Sequence, residues 1–154
     1  MRIRFEIPMV PRGKGAARRA TIRTKSGSTF QMTHKDPKTE TFESAVAALA
    51  AAHLPAAPLD GPIRMDVLIV LPRPQRLKNA AVGLHWAPVK PDRDNCMKAL
   101  NDALKSFWTD DARVVCGEPL KCYAEAGGRP RLVVLLETAL PSPTAVARGL
   151  GLID

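Results

Sequence analysis

The chain has 154 residues, enough for one domain with a core of its own. Hydrophobic residues make up 45% of it and charged residues 25%, and no apolar run approaches the ~18–20 residues of a membrane span. Lysine and arginine number 23 against 15 acids, a formal net charge of +8 that suits a polyanion such as nucleic acid. The N-terminus, MRIRFEIPM, alternates charge with apolarity and does not read as a signal peptide. Cys96, Cys116 and Cys122 form neither a CxxC pair nor a zinc spacing, so a reducing, cytoplasmic setting is expected.

Taken in chain order, Ile3, Phe5, Ile7 and Met9 alternate with polar residues and predict a half-buried strand that ends at Pro8 and Pro11. A basic loop, PRGKGAARR, follows. A weak strand around Thr21–Arg23, a turn at KSGS and another strand over Phe30–Thr33 come next. Asp36-Pro37 reads as an N-cap with proline at the first helical position. The helix should run from Pro37 to about His53, with Phe42, Val46 and Leu49 as its apolar stripe. Ile63–Leu71 is dense in Ile, Val and Leu and predicts a central strand. A long loop of about residues 72–91 is of the length that tends to carry function. A second helix is predicted over Arg93–Phe107, with strands near Leu120–Glu125 and over Arg131–Glu137. The expected fold is α+β, a single domain with a mixed β-sheet and two main helices. Residues 1–140 would form that domain, and 141–154 a loosely attached C-terminal tail.

The second helix separates its faces. Met97, Leu100, Leu104 and Phe107 form a core stripe, while Asp94, Lys98, Asn101 and Lys105 fall opposite. Asp92 precedes the helix, so Asp92, Asp94 and Lys98 meet at one helix end. Their oxygen donors suit a hard divalent cation such as magnesium, which keeps several waters and takes one or two carboxylates. Such a cation could polarise a phosphoryl oxygen or activate water, with Lys98 countering developing charge. Asp110-Asp111 is a second acidic pair in the turn beyond the helix. Each feature has a plainer reading. The aspartates could be N-caps or turn residues, and Lys98 an exposed i,i+4 partner. An EF-hand is excluded, because counting from Asp92 puts Met97 where its glycine belongs and Ala103 where its glutamate belongs. His34, His53 and His85 show no metal spacing and are expected singly on the surface. Cys96 reads as a small buried filler.

The whole stretch KPDRDNCMKALNDALKSFWTDDARVV, residues 90–115, resembles the RusA family of Holliday-junction resolvases. The family pattern runs D-x-D-N-x-x-K, D-A-L, an aromatic residue, then D-D-x-x-V. It matches Asp92, Asp94, Asn95, Lys98, Asp102-Ala103-Leu104, Trp108, Asp110-Asp111 and Val114. The resemblance implies a RusA-like fold and a homodimer that cuts four-way DNA junctions by paired symmetric nicks, in DNA recombination and repair. It implies magnesium, or manganese in its place, held by Asp92, Asp94 and Asp111, with Lys98 required for cleavage. Asp111 is preferred over Asp110 because it aligns with the family's catalytic aspartate.

Basic residues would then hold the junction arms through phosphate contacts: Arg12, Lys14, Arg18 and Arg19 from the first segment, and Arg73, Arg76, Lys78 and Lys90 from the second. The competing expectation is a non-catalytic protein that binds branched DNA. A glycosyltransferase using DxD for a nucleotide-sugar metal is disfavoured, because no nucleotide-binding βαβ pattern precedes the motif.

Overall fold

The computed structural model describes residues 1–16 and 18–154, and the side chains of all of these except 18–20 and 33. Strand β4, Ile63–Leu71, is the centre of the main sheet, whose order is β1 (Arg2–Ile7), β8 (Arg131–Glu137), β4, β7 (Pro119–Tyr123) and β5 (His85–Trp86). Its apolar run is explained by position. β8 (Arg131–Glu137) pairs antiparallel on one side, and β7 (Pro119–Tyr123) and the short β6 (Val114–Cys116) pair parallel on the other. Strand β1, Arg2–Ile7, joins at the edge against β8, with Phe5 and Ile7 buried as the alternation requires. β2 (Arg18–Arg23) and β3 (Thr29–His34) form a separate two-stranded ribbon, each longer than the sequence suggests.

Helix α1, Pro37–Ala50, starts as expected: the Asp36 carboxylate accepts the Thr39 backbone N–H at 3.1 Å. It tightens into a 3-10 turn over Ala51–His53. Its buried stripe is Phe42, Val46 and Ala50; Leu49, expected inside, is 46% exposed. The four-residue step from Val46 keeps to the buried face, whereas the three-residue step to Leu49 leaves it. Helix α2, Arg93–Leu104, continues as a 3-10 turn over Lys105–Phe107. Here too the stripe is rotated from expectation. Cys96, Ala99, Leu100, Ala103, Leu104 and Phe107 are buried, and Met97 only partly so. Small residues on that face let α1 and α2 pack closely. Asn101, assigned to the polar face, is half-buried.

Both helices cover one face of the main sheet. The Phe5 ring stacks on Phe107 at 5.3 Å and on His53 at 5.2 Å, so His53 is exposed as expected but not solitary. Cys96 is buried as expected, and burial pushes its thiol up to about 11. All three cysteines are free thiols. The tail is more ordered than the sequence suggests. Residues Pro143–Gly149 form α3, capped by the Ser142 hydroxyl, beside a groove lined by Val115, Leu140, Val146 and Leu150. Residues 72–91 also hold structure: a 3-10 turn at Gln75–Leu77, and β5 (His85–Trp86) on the edge of β7. Among the described residues no helix is long and apolar enough to cross a membrane.

Candidate active site

The aspartates that precede helical turns behave differently. Asp36 caps α1, and Asp110 accepts the Ala112 N–H at 2.7 Å. Asp92, in the N-cap position of α2 with extended backbone (φ −66°, ψ 145°), makes no side-chain cap bond. Its half-exposed carboxylate meets the Lys90 ammonium at 3.4 Å instead. Asp94 in the first turn meets Lys98 at 3.1 Å, and that ammonium holds the Asp94 carboxyl below the usual carboxylate range. Two exposed carboxylates thus stand at one helix end, each paired with a lysine where a cation is favoured.

The basic loop after β1 is brought to the same place by Gly13. A Cβ there would lie 3.0 Å from the Pro91 Cβ and 3.3 Å from the Asn95 Cβ, so any larger residue would crowd both and push the loop outward by a few tenths of an ångström. The Lys14 N–H donates to the Asn95 carbonyl at 3.0 Å, and the Gly15 N–H to the Thr39 hydroxyl at 2.9 Å. The loop is therefore pinned to the starts of both helices. The result is an open cleft of about 460 Å³ lined by Arg12, Gly13, Lys14, Lys90, Asp92 and Asn95. The Lys14 ammonium turns to Asp102 on α2. Gly13 was not singled out from the sequence; its position between two basic residues in a loop that must fold back was the available signal.

The other expected contact residues divide. The Arg73 guanidinium is occupied by carbonyls of its own loop and of β7's exit: Gly83 and Ala124 on one nitrogen, Leu77, Ala80 and Ala81 on the other. It is an organiser of residues 73–83. Arg76 bonds the Tyr123 hydroxyl at 2.9 Å and lies over its ring. Lys78 is exposed. Arg18 and Arg19 lie on β2, and their side chains fall outside the described residues.

Asp111 does not join Asp92 and Asp94 in a cluster. Along the chain the twelve residues of α2, ~18 Å of helix, and the turn after it lie between them. Asp111 accepts the Trp108 indole N–H at 3.0 Å. Its turn is held to the chain before β4, where Leu59 exchanges backbone bonds with Phe107 and Thr109, and Arg113 pairs with Asp60 at 2.7 Å. Among the described residues, no three His, Cys, Asp or Glu side chains gather as a metal group.

A family model described as endodeoxyribonuclease RusA matches residues 8–137. The chain belongs to the RusA endodeoxyribonuclease family. The match spans every strand from β2 to β8, both long helices and the whole of the cleft; it leaves out β1 and ends at the last residue of β8. The chain is also similar to the uncharacterised protein YqaN of Bacillus subtilis (strain 168). The two are 35% identical over 111 residues, covering 66% of this chain and 76% of that protein. Membership in a family of DNA-cutting enzymes gives the exposed carboxylates a chemical context that their helix end alone does not supply.

Proposed function

We propose that this RusA-family protein is a metal-dependent endodeoxyribonuclease that resolves four-way DNA junctions by paired nicks, in DNA recombination and repair. The observation that carries the reading is the Asp92 carboxylate. It stands at an N-cap and does not cap, next to Asp94 and inside a cleft edged by Arg12, Lys14 and Lys90. Carboxylates in such surroundings should repel phosphate unless a cation intervenes. The donor set fits magnesium, or manganese in its place, since hard oxygen ligands are present and both sites remain open to water. Asp92 and Asp94 would hold the ion, which would polarise a phosphoryl oxygen and lower the pKa of an attacking water.

The remaining work falls to the chain itself. Arg12 and Lys90 bind backbone phosphates beside the carboxylates, Lys14 joins them when phosphate replaces its partner Asp102, and Lys78 extends the basic surface. Arg18 and Arg19 would add to it from the ribbon. Lys98, released from Asp94 when that carboxylate finds another partner, stabilises charge developing on the phosphate. Asp111, the third carboxylate of the family motif, lies at the far end of α2. Its contribution therefore requires a second copy of the chain, with each site taking Asp92 and Asp94 from one protomer and Asp111 from the other. A twofold dimer gives two such sites and two symmetric nicks.

The test is cleavage of four-way, three-way and linear DNA with and without magnesium. Cleavage confined to the four-way junction with metal present is the expected result. Asp92→Asn should lower the rate on the order of 10²-fold or more. Shape-selective binding with no metal-dependent product would instead mark a non-catalytic branched-DNA-binding protein.

A further inference from the structure

One residue of β7 breaks the strand's pattern. Leu120 and Cys122 pair in register with Leu68 and Val70 on one face of the sheet. Lys121 pairs with Ile69, which is fully buried, so the lysine points to the helix-covered side. A lysine stem can lie along apolar surface, but its ammonium needs partners there. It has two, the carbonyls of Val89 and of Pro91, the latter at 2.7 Å. Those residues flank Lys90 and lead directly into Asp92. The Lys121 carbonyl also accepts the Ala87 N–H at 3.4 Å, so residues 87–91 are laced to β7 by both its backbone and its side chain.

We propose that Lys121 is a positioning residue for the metal-holding carboxylates. By clamping the Val89 and Pro91 carbonyls it sets where the chain enters α2, and thereby how Asp92 stands relative to Asp94. The inference rests on the nuclease reading above. The two carbonyls it holds lie directly before the carboxylates, so the clamp acts on the segment that leads into Asp92.

The test compares Lys121→Met, which keeps the stem and removes the donors, with the unaltered protein and with Asp92→Asn. The probe is Mn²⁺ binding without DNA, followed by electron paramagnetic resonance, beside circular dichroism and junction cleavage over a magnesium series. Lys121→Met should keep the fold and bind metal-free junction within about twofold of the unaltered protein. It should weaken Mn²⁺ binding by about tenfold or more, and raise the magnesium needed for half-maximal cleavage by a similar factor. A purely structural lysine would change stability and leave the Mn²⁺ affinity of the folded protein unchanged; that result overturns the inference. If Asp92→Asn loses metal binding and cleavage while Lys121→Met loses neither, this inference alone fails. If Asp92→Asn retains both, the nuclease-site assignment fails. Should Lys121→Met not fold, Lys121→Arg replaces it. Its larger planar fork cannot take the same two carbonyls in the same way, so a shift in Mn²⁺ affinity of about threefold or more is expected, and none overturns the proposal.

Discussion

The indole N–H of Trp108 donates to the Asp111 carboxylate at 3.0 Å, while the exposed carboxylate of neighbouring Asp110 accepts the Ala112 N–H at 2.7 Å. Adjacent aspartates thus have different duties. Asp111→Asn should abolish junction cleavage with little loss of stability, whereas Asp110→Asn should leave cleavage within a few-fold. Because α2 separates Asp111 from Asp92, an equimolar mixture of refolded Asp92→Asn and Asp111→Asn proteins should regain single-strand nicking. If the sites are shared across a dimer, one site of the mixed species would combine an intact Asp92 with an intact Asp111. A mixture as inactive as either variant alone counts against shared sites.

Arg73 holds five carbonyls, and its loss leaves part-buried acceptors unsatisfied. Arg73→Ala should cost about 2–3 kcal/mol in urea unfolding, allowing for bonds that are not additive. Arg73→Lys should recover less than half of that, since a single ammonium cannot span both ends of the fork. Metal-free junction affinity should change much less than in Arg12→Ala.

Gly13→Ala tests the close approach of the basic loop to α2. The new methyl would press on the Pro91 ring at 3.0 Å, and a ring cannot swing aside as a long side chain can. The loop should shift outward by a few tenths of an ångström, moving Arg12 and Lys14 relative to the carboxylates. Junction affinity should fall by up to about tenfold, equivalent to ~1.4 kcal/mol, as measured by gel shift at fixed salt.

Asp102 links stability to pH. Burial raises its carboxyl, but the hydrogen bond and charge of Lys14, with Lys35 nearby, outweigh this and hold it below the usual range. A carboxyl depressed in the folded state stabilises fully above its unfolded pKa of ~3.9, and the contribution is lost as pH falls through the folded value. Asp102→Asn should therefore unfold more easily than the unaltered protein at pH 7, by about 1 kcal/mol or less. The gap should close as pH falls below ~4, and should narrow in high salt at pH 7. Denaturation series at pH 7 and pH 3 measure both effects.

Much of the architecture was legible from local pattern. β4 and β8 match their predicted bounds because continuous or alternating apolar runs between turn residues leave little choice. The start of α1 was legible from Asp36-Pro37, a cap whose chemistry is complete within four residues. The short strands β5 and β6 were not, since two or three residues carry no period and are strands only because a neighbour pairs with them. The buried stripes of α1 and α2 were misjudged at Leu49 and Met97. Both faces are defined by helix–helix contact through small residues, and hydrophobicity gives alanine too little weight to reveal it.

The sequence by itself determined the order of the chief elements, the excess of positive charge and the acidic motif that marks the family. Each is a local or additive property of the chain. The tertiary structure decided which charges are available. It committed Arg73 to its own loop and brought Gly13 and Lys121 to the entrance of α2, from residues roughly 80 positions before and 30 positions after it. It left Asp92 uncapped and set Asp111 a helix length away. Those outcomes depend on which distant backbone groups compete for each donor, and that competition exists only once the sheet and helices have packed.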